Sequence, residues 1–192
     1  AEMLLQRNRV MNLTAITGYQ EVLKKHFVDS LSLVKVCRPG RGDALIDVGT
    51  GAGFPGIPLK ILFPERKITL LDSLNKRVKF LNAVIKKINL DNIVAIHGRA
   101  EDFAKQKFHR EQYQFCVSRA VAKLSTLSEL CIPFVRKEGY FISYKSEKVR
   151  EELSAGKKAI EILGGKIEDQ LEYQLPGTDM KRSLLIVKKE KS

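Results

Sequence analysis

The stretch "IDVGTGAGFPGIP", residues 46–58, gathers residue types that hold a ligand through the backbone. Gly49, Gly51 and Gly53 let a chain turn tightly and approach a ligand without side chains in the way, and Pro55 suits the first turn of a helix. Gly51, Gly53 and Gly56 also satisfy G-x-G-x-x-G, with Asp72 near the spacing at which a dinucleotide's ribose is read. Taken alone, the loop fits two cofactors.

Three details favour a sulfonium-bearing donor over a dinucleotide. The strand before the loop ends with Asp47-Val48, ahead of Gly49-Thr50, whereas a dinucleotide fingerprint ends its strand on the first glycine. Asp47 would repel a pyrophosphate, yet it suits the cationic groups of S-adenosylmethionine; its plainer role is an acceptor for loop N–H groups. Pro55 and Pro58 remove amide donors that a phosphate would need. In "HGRAED" (97–102), Ala100, Glu101 and Asp102 fall where an adenine edge could be read, or supply ordinary helix N-terminal charge.

Methyl transfer from a sulfonium is an in-line displacement by an already activated donor, so the protein's main task is positioning. The Asn/Asp-Pro-Pro-aromatic signature of exocyclic amine methylation is absent; "VSRAVAK" (117–123) stands in its place. Pyrimidine C5 chemistry needs a thiolate, but Cys116 falls inside a predicted strand and Cys131 inside a predicted "LSELCIPFV" helix, both core positions. Attack by a ring nitrogen with a free lone pair, such as guanine N7, is compatible with what remains. Arg119 and Lys145 fall at the carboxyl ends of predicted strands and are positioning candidates, able to hold the donor carboxylate or an RNA phosphate, or else surface ion pairs. His26 reads as a packing residue.

The elements that must carry these groups alternate. "ALIDV" (44–48), "KITLLD" (67–72), "NIVAIHG" (92–98), "QFCVS" (114–118) and "GYFISYK" (139–145) read as buried parallel strands. Helical stripes separate them, notably Leu74, Val78, Leu81, Ile85 and Ile88 in 74–89, and Val149, Leu153, Ile160 and Leu163 in 147–163, which stops at Gly164-Gly165. "EDQLEYQL" (168–175) and "RSLLIVKKE" (182–190) predict a terminal antiparallel hairpin. The expectation is one α/β domain over 1–192: a helical segment, 1–43, broken around "NLTAITGY", then a Rossmann-like core, 44–192, with a mainly parallel seven-stranded sheet and helices on both faces.

The bulk numbers agree. With 34 Lys+Arg against 22 Asp+Glu, a net charge of +12 on 192 residues points to a polyanionic partner, nucleic acid above all. The basic residues cluster at Arg7/Arg9, Lys24/Lys25, Arg38/Arg41, Lys76/Arg77/Lys79, Lys86/Lys87, Lys157/Lys158, Lys181/Arg182 and the tail. Three scattered cysteines and three histidines suggest neither disulfides nor a metal site. No signal peptide or membrane span is read, so a cytoplasmic protein is expected, with a monomer favoured.

Five words in order, "NLTAI" (12–16), "HFVDSL" (26–31), "IDVGTGAGFPGIPL" (46–59), "GRAE" (98–101) and "SRAV" (118–121), together resemble the glucose-inhibited division protein B family over nearly the whole chain. These are bacterial methyltransferases that modify guanine N7 in the 530 loop of 16S ribosomal RNA, in the small ribosomal subunit. The resemblance implies a class I methyltransferase fold and S-adenosylmethionine as donor. It also implies that Gly49 and Phe54 contact the donor, that Ala100 and Glu101 hold its adenosine end, and that Arg119 lies beside the site. The chain departs from the family at Arg7, where Trp is common, and at Ser146, where Gly is frequent, and the family usually has further helix before Ala1. A nicotinamide-dependent oxidoreductase and a non-catalytic RNA-binding protein are the competing readings.

Overall fold

The computed structural model describes residues 1–11, 14–37, 40, 42–119, 122–147 and 149–192. Asn12, Leu13, Arg38, Arg41, Ala120 and Val121, which belong to motif words or basic clusters above, lie outside the described residues, as do the side chains of Arg7 and Arg9. The strands are β1 (Ala44–Val48), β2 (Lys67–Asp72), β3 (Ile93–His97), β4 (Tyr113–Ser118), β5 (Val135–Ser146), β6 (Gly165–Gln174) and β7 (Lys181–Lys189). They form one sheet in the order β3-β2-β1-β4-β5-β7-β6, parallel from β3 to β5, with β7 antiparallel to both β5 and β6.

Alternation along each strand supplies two apolar faces. Leu45, Leu70, Val117, Ile142 and Leu184 pack with the N-terminal helices, α4 (Gly56–Leu62) and α5 (Asn75–Lys87). Ile46, Leu71, Cys116, Phe141 and Leu185 pack with α7 (Leu124–Cys131) and α8 (Val149–Ile162) through Leu124, Leu127, Cys131 and Ile160. Full burial of Leu59, Leu70 or Leu81 contributes roughly 1.5–3 kcal/mol each. The N-terminal helices are α1 (Glu2–Met11), α2 (Tyr19–Val22) and α3 (Asp29–Leu31), with a π-helical stretch at Leu23–Val28 and a 3₁₀ turn at Ser32–Lys35. Among the described residues no helix is long and apolar enough to cross a membrane.

Three boundaries differ from those expected. The predicted "LSELCIPFV" helix stops at Cys131, because Pro133 lacks an amide donor, and a 3₁₀ turn at Ile132–Phe134 leads into β5. Strand β5 begins at Val135 rather than Gly139; a register shift and Glu138 at φ +64° interrupt the pattern there. Likewise β6 begins at Gly165, three residues early, with a register shift between Ile167 and Asp169.

Candidate active site

The chain leaves β1 for β2 and β3 on one side and returns to β4 and β5 on the other, so β1 and β4 mark the switch point where open α/β sheets hold ligands. The loop after β1 is built for close approach. Gly49, Gly51 and Gly53 take φ of +71°, +61° and +95°, which side chains resist. Gly49 N–H donates to the Leu71 carbonyl at 2.9 Å, and no heavy atom lies within 4 Å of where its Cβ would stand, so backbone meets open space there. Gly53 and Gly56 serve packing instead: a Cβ would stand 2.6 Å from Ile57 Cδ1 or 2.2 Å from Leu70 Cδ2.

Two carboxylates hold this loop. Asp47 is wholly buried; its Oδ2 accepts from Thr50 Oγ1 at 2.7 Å and from the Gly56 N–H at 2.8 Å. Its Oδ1 is buried with no partner. Burial pushes the carboxyl up to about 6, against the lowering effect of the Thr50 and Gly56 hydrogen bonds. Asp72 Oδ2 accepts from the Gly51 N–H at 2.8 Å and lies 3.4 Å from Arg77 Nη1, while Oδ1 accepts from the Leu74 N–H at 2.9 Å.

Gly49, Asp72, Ala100 and Glu101 come together in one cleft of about 250 Å³ over the tips of β1 to β3, closed on one side by Leu130. Ala100 opens α6 (Ala100–Phe103). Glu101 is half-exposed and receives Arg99 Nη2 at 2.9 Å; its own backbone N–H, then Arg99, lower its pKa. Asp47, Gly51 and Gly53 do not line this cleft; they support the loop around it.

Phe54, Arg119 and Lys145 lie on the other side of the switch point. Phe54 stacks on His26 with centroids 4.8 Å apart, and the Arg119 guanidinium sits 5.2 Å over its ring. Arg119 Nη1 bonds Asp29 Oδ2 at 3.2 Å, and Nη2 donates to His26 Nδ1 at 2.8 Å. His26 therefore keeps its proton on Nε2, 2.8 Å from Thr14 Oγ1; burial, then Arg119 and Arg182, lower its pKa to about 4. A second cavity of about 220 Å³ is lined by Lys25, His26, Arg119, Lys145 and Arg182, with Asp29 as its carboxylate. Lys145 Nζ is engaged by the Ala122 carbonyl and by Glu152, both at 2.8 Å, tying β5 to α8.

Asp29 is the residue that sequence reasoning passed over. It is buried, lies 3.2 Å from Arg119 and 3.5 Å from Arg182, and accepts from the Tyr173 hydroxyl at 3.0 Å. It joins the N-terminal helices, the tip of β4 and the hairpin. One signal was available: at seven residues from Val22 and four from Leu33, both buried, it is an acid on the apolar face.

A family model described as GidB, rRNA small subunit methyltransferase G, matches residues 1–177. The chain belongs to this family. Among GidB relatives, the ribosomal RNA small subunit methyltransferase G of Lachnoclostridium phytofermentans is 55% identical over 190 residues, 99% of this chain and 78% of that protein. The protein of the same name from Clostridium botulinum, strain ATCC 19397, is 55% identical over 184 residues, covering 96% and 77%. Of solved structures, M. jannaschii TYW2 in complex with AdoMet aligns with TM-score 0.68 at 16% identity over 93% of this chain and 80% of that one. Geranyl diphosphate C-methyltransferase from Streptomyces coelicolor aligns with TM-score 0.63 at 10% identity over 84% and 79%. These likenesses identify the sheet and its helices as the class I methyltransferase fold, as expected from the sequence.

Proposed function

We propose that the chain transfers the methyl group of S-adenosylmethionine to N7 of a guanine in the 530 loop of 16S ribosomal RNA, acting as a single-domain, monomeric enzyme in the cytoplasm. The observation that carries this reading is membership of a family described as rRNA small subunit methyltransferase G. The residues fit the donor. Asp47 keeps a buried Oδ1 without a partner beneath the loop, a charge that favours a cationic donor above it without touching it, and Gly49 leaves backbone beside open space. The donor supplies a methyl group already activated on a sulfonium.

Each residue's part follows from its surroundings. At the methionine end Gly49 offers its backbone to the donor and Asp47 acts through charge from beneath, while Gly51, Gly53 and Phe54 shape the loop that carries Gly49. Asp72 orders Gly51 and offers remaining lone pairs to a ribose; Ala100 and Glu101 hold the adenosine end. Guanine N7 has a free lone pair, so no general base is needed, and a His26 kept neutral by burial is not asked to act as one. Arg119, anchored by Asp29 and His26, presents a fixed positive charge to an RNA phosphate or the donor carboxylate, and Lys145 adds to the field. The net charge of +12 favours a large polyanionic substrate.

Calorimetry with S-adenosylmethionine and with NAD separates this reading from the oxidoreductase one: heat with the first only is expected, and binding of NAD alone overturns it. Donor indifference combined with salt-sensitive RNA binding would instead identify a non-catalytic RNA-binding protein.

A further inference from the structure

The two most exposed large apolar side chains among the described residues, Phe108 at 87% and Ile162 at 76%, line neither of the clefts just described. Phe108 belongs to "KQKFHR" (105–110), just before β4 begins, whereas Arg119 follows the end of β4. The six residues of β4 separate them by about 20 Å at the usual rise per residue, so the turn sits at the amino end of the parallel strands, opposite the clefts at their carboxyl end.

This turn is firmly held, not loose. The Gln106 N–H donates to the Phe103 carbonyl, and the His109 and Arg110 N–H groups donate to the Gln106 carbonyl, each at 2.9 Å. His109 packs on Phe103 with centroids 5.0 Å apart, and its Nδ1 lies 2.9 Å from the Tyr113 hydroxyl. Phe108 is thus presented to solvent on an ordered base, with Lys105, Lys107 and Arg110 exposed around it. Arg110 also opens a cleft of about 330 Å³ shared with Pro133, Ile162, Lys189 and Lys191. Among its lining side chains Glu161 is the acidic one, 3.9 Å from Lys157, and Lys189 is matched by Glu111 at 2.9 Å, while Arg110 and Lys191 add positive charge.

A lone exposed phenyl ring needs no explanation in general, but a ring carried on a hydrogen-bonded turn that also exposes Lys105, Lys107 and Arg110 has the two parts of a single-strand RNA contact, a stacking plane and phosphate neutralisation. We propose that the 105–110 turn, with the Arg110–Ile162 cleft, is a second RNA-contact surface that stacks an unpaired ribosomal RNA base on Phe108 and neutralises its flanking phosphates. It rests on the ribosomal reading above and adds to it: a substrate large enough to reach both ends of the strands is held at two places, one of them remote from the reaction.

The test compares the full chain with Phe108→Ala, Phe108→Tyr and Lys107→Gln in methyl transfer to unmethylated small ribosomal subunits and in binding to protein-free 16S RNA. Phe108→Ala is expected to raise KM for subunits and weaken RNA binding, each about tenfold, with kcat and donor affinity unchanged, and Phe108→Tyr to restore both. Lys107→Gln is expected to reduce the slope of log affinity against log salt by about 1. Unchanged KM and slope in an active protein overturn the proposal alone. Loss on subunits but not on free RNA assigns the surface to a ribosomal protein and also overturns it. A wild-type chain that binds donor but transfers no methyl removes the ribosomal reading, and this proposal with it.

Discussion

Replacing Asp47 with Asn tests the donor role proposed for this buried carboxylate. Asp47 is wholly buried, and its carboxyl is raised from 3.8 to about 6, which at 1.36 kcal/mol per unit places roughly 3 kcal/mol against the ionised form. A cationic donor held above the loop offsets part of that cost through charge alone, by on the order of 1–3 kcal/mol at an effective dielectric of about 20. The Asn variant keeps an oxygen for Thr50 and Gly56 and so folds, but S-adenosylmethionine binding weakens about 10- to 100-fold near neutral pH. Calorimetric titration from about pH 5 to about pH 7 gives a second readout, because donor binding to the wild type must displace the Asp47 proton in the lower part of that range. Wild-type affinity therefore rises with pH and levels off above about 6, with proton release on binding; the variant's affinity is flat. Folding stability runs the other way. A raised carboxyl pKa contributes stability that is complete below 3.8 and lost as pH rises through about 6, so the variant is the less pH-sensitive protein. A variant affinity within about twofold of wild type, with the same pH profile, refutes the assignment.

Further outcomes follow from the same geometry. Gly56→Ala, whose Cβ would stand 2.2 Å from Leu70 Cδ2, lowers stability by about 1–3 kcal/mol in thermal unfolding. Gly49→Ala meets no atom within 4 Å but must hold φ +71°, so it costs only about 1–2 kcal/mol in stability while calorimetry records weaker donor binding. Asp29→Asn removes the carboxylate facing Arg119 and Arg182; chemical denaturation shows a loss of about 3 kcal/mol, and Tyr173→Phe a loss of about 1 kcal/mol. His26 is expected to titrate near 4 when followed by NMR; because burial lowers this pKa, its contribution to stability is present above 6.5 and lost as pH falls towards 4.

The glycine loop and the strands of the parallel sheet were legible because local chemistry dictates them: near-continuous apolar runs at 44–48 and 67–72, and positive φ that glycine alone adopts cheaply at residues 49, 51 and 53. The bulge at Glu138-Gly139 was not, since it reflects a register fitted to β4, where a Cβ at Gly139 would stand 2.7 Å from the Gln114 carbonyl oxygen. The partition of the site was also hidden. Arg119 follows β4 as expected and Lys145 lies one residue inside the end of β5, yet Arg119 turns to Asp29 and His26, and Lys145 to Ala122 and Glu152. Those partnerships span up to 93 residues of chain, beyond the reach of any local pattern. Asp29 drew no functional reading because its partner Tyr173 lies 144 residues away in the hairpin.

The most direct measurement is transfer of labelled methyl from S-adenosylmethionine to small ribosomal subunits lacking the mark, with the product located by cleavage specific to N7-methylguanine. Label at one guanine of the 530 loop is the predicted result. Label at another atom or another site, or none while the donor is bound, contradicts the account.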